Sequence, residues 1–165
     1  MVLACIALGS NLGKRQAALR AAAERLRRLP RSRFVALATF RQTTPVDAPT
    51  GSPDFLNSAA TVETELEAAE LLGHLLEIER DLGRVRGSPG QGAPAERNAP
   101  RTIDLDLLLF GDMVVASPTL TLPHPRMHLR LFVLEPLAEI APEAVHPPTG
   151  KTIQQLRDEL LANGG

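Results

Sequence analysis

The sequence contains no tryptophan and no tyrosine, and only five phenylalanines among 165 residues. A site that stacks a flat ligand on a side-chain ring therefore has only Phe to use. Cys5 is the single cysteine, which excludes a disulfide framework and a cysteine-ligated metal. No apolar run approaches the roughly 20 residues of a membrane-spanning helix. The opening Met1 to Ser10 has neither a basic leader region nor a cleavage-type tail. An excess of one charge is missing too, since 18 Lys and Arg oppose 19 Asp and Glu for a net charge of -1. That balance argues against general binding to nucleic acid or to an anionic membrane. The expected setting is a bacterial-type cytoplasm. With 44% apolar and 22% charged residues, the chain can bury a core, and one domain over 1–165 is expected.

Periodicity supplies the elements. Val2 to Leu8 is a short apolar run closed by Gly9-Ser10-Asn11, which predicts a buried strand with Ser10 or Asn11 capping the next helix. Leu12 to Leu29 places Leu12, Leu19, Ala22, Ala23, Leu26 and Leu29 on one helical side, and Pro30 ends it. Phe34 to Thr43 and Phe55 to Glu65 alternate as strands, separated by the Pro-rich loop Thr44 to Pro53. Glu67 to Leu82 predicts a second helix, with Gly83 at its C-cap position. Gly87 to Pro100, with three Gly and three Pro, is a long polar loop of the kind that covers a binding site or stays disordered. Ile103 to Phe110 is a fourth strand, which Val114 to Ala116 could join as a short ribbon. Leu129 to Ile140 reads as helical pieces broken at Pro136, and Thr152 to Ala162 as a last amphipathic helix. The order β-α-β-β-α-β predicts an α+β, ferredoxin-like antiparallel sheet with helices on one face and a helical C-terminal extension.

The chemistry concentrates around Asp104-Leu105-Asp106. Side chains alternate along a strand, so Asp104 and Asp106 share one face while Ile103, Leu105, Leu107 and Leu109 take the other. Two residues along a strand span roughly 6.5 Å. Two carboxylates at that separation can converge on Mg²⁺ ions, which take hard oxygen ligands and fill their shells with phosphate and water. Two solvated aspartates on an open sheet face are the alternative, although like charges there repel. Arg80, Arg84, Arg86, Arg97 and Arg101 precede the pair. Their planar forks suit phosphate oxygens, and carboxylates with arginines are the parts that phosphoryl transfer uses. A solvated basic loop pairing with Asp81 and Glu96 is the competing reading.

Gly9-Ser10-Asn11-Leu12-Gly13-Lys14 imitates a phosphate-binding P-loop, but it has three residues between its glycines and Arg15 after the lysine. A strand-to-helix turn is the better account. His124 is held between Pro123 and Pro125, and the missing HExxH glutamate argues against a zinc helix with His128. Phe55 and Phe132 could flank a flat heterocycle whose edge Asn57 reads, or they could be core residues.

Arg97-x-Ala99-Pro100-Arg101-x-x-Asp104-Leu105-Asp106-Leu107-Leu108 resembles the defining motif of the hydroxymethyldihydropterin pyrophosphokinases of folate synthesis. Ala7 to Gly13, Pro53 to Asn57, Gly83 to Arg86, Leu122 to Pro125 and Pro136-Leu137-x-Glu139-Ile140-Ala141-Pro142 are similar to that family's motifs, in the same order. The resemblance implies transfer of diphosphate from ATP to a pterin alcohol. It implies that Asp104 and Asp106 hold two Mg²⁺ ions and that Arg84 and Arg101 clamp phosphates. Glu79, Arg86, Arg97, His124 and Arg130 would stand on the ATP side. Thr44, Pro45, Val46, Phe55, Asn57 and Phe132 would form the pterin pocket, closed by the loops Asp47 to Ser52 and Gly87 to Asn98. Asn98 stands where many members carry an aromatic residue. The expected partners are these two small molecules, and the expected state is a monomer. Two other classes fit the residues alone. One is a non-catalytic RNA- or protein-binding module, disfavoured by the acidic strand face. The other is transfer of a single phosphoryl group to another small alcohol.

Overall fold

Alternation in the first strand decides the layout. Ala4, Ile6 and Leu8 are buried in one core, while Cys5 is buried in a second on the opposite face. The computed structural model describes residues 1–11, 13–43, 54–83 and 103–164. The chain runs β1 (Val2–Ser10), α1 (Arg15–Arg27), β2 (Ser32–Leu37), β3 (Arg41–Thr43), β4 (Phe55–Thr64), α2 (Ala68–Gly83) and β5 (Asp104–Phe110). It continues through β6 (Val115–Ala116), β7 (Thr121–Leu122), α3 (Leu131–Ile140), β8 (Val145–His146), β9 (Lys151–Thr152) and α4 (Ile153–Ala162). The fold is α+β. Its main sheet is antiparallel in the order β2-β4-β1-β5, with β3 also paired to β4.

Helices cover both faces of the sheet, not the single face expected. Leu19, Leu26, Leu71, Leu75 and Ile78 of α1 and α2 pack on Ile6, Leu8, Val62 and Leu107. On the other face, Leu134 and Leu137 of α3 pack with Cys5, Ala59 and Leu109, and Ile153 and Leu156 of α4 complete that core. Small residues on the sheet let α3 come close. Burial pushes the Cys5 thiol up to about 12, so it stays neutral and serves as packing.

Several local expectations are corrected. Neither Ser10 nor Asn11 caps α1; Lys14 precedes it without a side-chain cap, and Gly13 at φ 68 marks the break from the strand. The strand expected over Phe34 to Thr43 is split. Its register against β4 shifts between Phe34 and Ala36, and shifts again between Leu37 and Arg41, so simple alternation fails. β6 pairs with β7 rather than with β5, because Gly111 at φ 56 turns the chain away from the fourth strand. α3 runs unbroken through Pro136. The missing N–H would have served only the Phe132 carbonyl in the first turn, while Leu134, Pro136 and Leu137 are buried. α4 begins with a capping box: Gln155 N–H donates to Thr152 Oγ1 (3.1 Å) and Thr152 N–H to Gln155 Oε1 (2.9 Å). No described helix is long and apolar enough to cross a membrane.

His146 in β8 is buried, shares a 2.8 Å hydrogen bond between Nδ1 and Thr149 Oγ1, and lies 5.2 Å from the His128 ring. Burial, and then the charge of His128, lower its pKa below the ordinary 6.5. The unfolded chain therefore binds a proton in a range where the native protein does not, and native stability falls as pH drops below that value. The melting temperature should decline between about pH 7 and pH 5, and less steeply in His146→Gln. Equal slopes in thermal melts of the two proteins would contradict this assignment.

Candidate active site

Register assembles the site. In β5 a bulge sets two residues, Leu108 and Leu109, on the stretch of β1 between Ile6 and Cys5. Both leucines enter the second core, so Leu109 does not share a face with Leu105 and Leu107 as alternation predicts. Before the bulge the alternation holds, with Leu105 and Leu107 in the first core and Asp104 and Asp106 on the opposite face. Across the sheet, Asp104 pairs with Gly9, Gly9 with Asn57, and Asn57 with Arg41. The next row is Asp106, Ala7 and Ala59. The acidic pair thus faces Asn57 across a floor of glycine and alanine.

That floor opens into a cavity of about 700 Å³. Asp104, Asp106, Phe55, Asn57, Arg130 and Phe132 all line it, so six separated sequence positions meet in one space. Gly9 is needed there: a Cβ would lie 3.2 Å from Asn57 Nδ2 and 3.9 Å from Phe55 Cδ1. The Thr43 hydroxyl donates to Asn57 Oδ1 at 2.5 Å, which fixes the amide and directs Nδ2 over Gly9.

The bulge also delivers His124. Its N–H donates to the carbonyl of Leu108 (2.9 Å), while its Nδ1 accepts from Arg126 N–H (3.3 Å), leaving Nε2 to carry the proton of the neutral ring. Burial lowers its pKa; the charge of Asp106 opposes that shift, and those of Arg130 and Arg126 add to it. Arg130 and Phe132 follow the buried anchor Met127, and the Arg130 guanidinium lies 5.6 Å from the Phe132 ring centre. Glu79 is placed differently. Its Oε2 accepts the Leu105 N–H at 2.8 Å, binding α2 to the edge strand between the two aspartates, and it is not among the cavity-lining residues.

Among the lining residues that carried no assigned role in the sequence are Gly9, Thr43 and Arg126. Arg126 lies inside the conspicuous Leu122 to Phe132 cluster, but Gly9 and Thr43 become visible only through cross-strand register. Arg84, Arg86, Arg97, Arg101, Thr44, Pro45 and Val46 lie outside the described residues, as do both expected closing loops.

The described groups can receive a polyanion beside a flat heterocycle. Among the described residues no cluster of three or more His, Cys, Asp or Glu could hold a metal by itself. Two hard carboxylates on one face would leave a bound Mg²⁺ to complete its shell with phosphate and water, as that ion commonly does.

A family profile described as 7,8-dihydro-6-hydroxymethylpterin-pyrophosphokinase (HPPK) matches residues 5–142. A 2-amino-4-hydroxy-6-hydroxymethyldihydropteridine pyrophosphokinase from Haemophilus influenzae is 40% identical over 147 residues, covering 89% of this chain and 86% of its own. One from Pseudomonas aeruginosa is 39% identical over 151 residues, covering 92% and 87%. A solved Plasmodium falciparum HPPK-DHPS superimposes with a TM-score of 0.73 over 98% of this chain at 14% identity, which shows a shared fold. This chain spans only 45% of that one. With the profile covering most of the sequence and these relatives matched over nearly their whole length, the chain belongs to the 7,8-dihydro-6-hydroxymethylpterin-pyrophosphokinase family.

Proposed function

We propose that the protein transfers diphosphate from ATP to the hydroxymethyl group of 6-hydroxymethyl-7,8-dihydropterin, giving AMP and the pterin diphosphate on the route to tetrahydrofolate. One observation carries the reading: the acidic pair Asp104 and Asp106 opens into the same cavity as Phe55, Asn57 and Phe132. Phosphate chemistry and a heterocycle pocket are therefore neighbours.

Asp104 and Asp106 would hold Mg²⁺, two ions in this reading, with ATP supplying further ligands; bound there, the metal would offset phosphate charge and help orient the reacting oxygens. Arg130 and neutral His124, which presents Nε2–H, take the nucleotide side. Arg84, Arg86, Arg97 and Arg101 supply the remaining cations for the phosphates, and Arg84 and Arg101 have the role of stabilising the charge that develops during transfer. Glu79 acts from behind by fixing the β5 edge through Leu105. Phe55 and Phe132 flank the pterin ring, Asn57 Nδ2 meets its hydrogen-bonding edge, and Thr44, Pro45 and Val46 complete the pocket. The hydroxymethyl oxygen attacks the β-phosphorus in line and gives up its proton to solvent, the bond between that phosphorus and the bridging α,β-oxygen breaks, and AMP departs with the bridging oxygen. Positioning and fixed charge account for the acceleration, without a covalent enzyme intermediate.

We also read the order β2-β4-β1-β5 as a ferredoxin-like split βαβ unit, to which α3 and α4 add a second covering layer. The oligomeric state we propose is a monomer. A cytoplasmic setting fits these two small-molecule substrates.

Incubation with ATP, Mg²⁺ and the pterin alcohol should give AMP and a pterin heavier by a diphosphate, resolved by chromatography and mass spectrometry. ADP with a singly phosphorylated pterin would replace this reaction by simple phosphoryl transfer. Asp104→Asn and Asp106→Asn should each lose about a hundredfold or more in kcat, and chelation of Mg²⁺ should stop turnover. Gly9→Ala should lower kcat/KM by about tenfold with stability changed by less than about 1 kcal/mol, because a strand accepts alanine while the cavity floor does not. Parallel kinetics and denaturant melts test that separation.

A further inference from the structure

We propose that Glu139 is a positioning residue for the pterin side of the cavity, acting by closing the bulge between β2 and β3 against α3. The identity of the ligand rests on the reaction proposed above. The clamp itself rests on geometry.

Between the pairs Leu37–Ala60 and Arg41–Asn57, residues 38–40 face only residues 58–59 of β4. One residue is surplus, and a ladder leaves a surplus residue unpaired. Ala38 is served by β4: its N–H donates to the Ala59 carbonyl and its own carbonyl accepts from Ser58 Oγ, both at 2.8 Å. Thr39 is served by α3. Its N–H lies 3.1 Å from each Glu139 carboxylate oxygen, and its hydroxyl donates to Oε2 at 3.0 Å. Arg41 Nη1 adds an ion pair of 2.8 Å to Oε1. Burial raises the Glu139 pKa, but the Thr39 and Arg41 donors outweigh it and leave the group below its ordinary value. The carboxylate therefore stays charged at neutral pH.

This single carboxylate joins two walls of the cavity. α3 begins at Leu131, places Phe132 in its first turn and carries Glu135 into the lining one turn before Glu139. β3 supplies Thr43, whose hydroxyl fixes Asn57. A strand of three residues paired on one side has little hold of its own. A slip of one residue would turn Thr43 from the cavity face to the other side. The Arg41 pair is about one-third exposed on both partners and weak through screening. The charge-assisted bonds to Thr39 matter more, since nothing else in the ladder receives that N–H. Glu139 is the acidic member of the Pro136 to Pro142 motif, and the reaction itself assigns it no task.

The test compares steady-state kinetics of wild type, Glu139→Gln, Thr39→Val and Arg41→Ala, with amide hydrogen exchange measured by NMR. Glu139→Gln should raise KM for the pterin about tenfold, with KM for ATP within about twofold and kcat within about threefold. Thr39→Val, which keeps the N–H but removes the hydroxyl, should give a smaller rise of about threefold, and Arg41→Ala less than about twofold. Amides 39 and 41–43 should exchange at least about tenfold faster in Glu139→Gln while those of β1 stay protected. An unchanged pterin KM, or equal rises for pterin and ATP, would overturn the proposal and leave Glu139 as a stabilising contact only. Should Glu139→Gln fail to fold, Thr39→Val decides by the same split in KM. If wild type yields no AMP, the reaction reading fails separately, and unchanged exchange at 39–43 in Glu139→Gln then overturns the clamp.

Discussion

The two-residue period of a β-strand forces a division that the rest of this protein works around. β1 lies in the middle of the sheet and must bury both sides. Ile6 and Leu8 commit one side to α1 and α2. Cys5, Ala7 and Gly9 keep the other side low, so α3 packs against its lower part while its upper part remains open beside Asp104, Asp106 and Asn57. A large residue at any of these three positions would compete for the space that α3 or the cavity fills. The site is the part of the sheet's second face that α3 does not cover.

Bulges then convert a regular sheet into one that aims side chains. At Leu108 the extra residue returns the strand to the second core and presents a carbonyl to His124, which is thereby held beside Asp106. At residues 38–40 the extra residue separates β2 from β3 and lets α3 reach the sheet edge through Glu139. Both irregularities flank the cavity, and both are satisfied by elements that come later in the chain. The cavity face therefore depends on the C-terminal third of the protein, even though Asp104 and Asp106 belong to the sheet.

The electrostatics follow the same geometry. Three carboxylates (Asp104, Asp106 and Glu135) and two arginines (Arg126 and Arg130) line one space, and His124, which feels the charge of Asp106, is held neutral mainly by burial. Such a mixture suits a metal-bound polyphosphate better than a bare anion or cation, because either alone would meet like charge. The apolar rings of Phe55 and Phe132 give the same cavity a surface for a flat heterocycle. Family membership and cavity chemistry therefore agree.

Local patterns were enough for the elements and for the acidic pair. A short apolar run with turn residues marked β1, alternation marked β4, helical spacing marked α1 and α2, and alternation along β5 put Asp104 and Asp106 on one face. These properties depend on neighbours a few residues apart, which the sequence itself specifies. It could not show that Leu109 changes face, that Phe34 and Leu37 both pack on the first core, or that α3 passes Pro136. Each of those outcomes depends on contacts distant in sequence: an added residue opposite β1 or β4, or a buried helix face that offsets a lost hydrogen bond. Thr43 carries no local mark of function for the same reason, and Gly9 and Glu139, although they fall within family-like motifs, carry no local sign of what they touch. The residue types and their order were determined by the sequence alone, whereas which residues share a wall was decided by strand register and by α3 docking, since only tertiary packing sets the distance between separate segments.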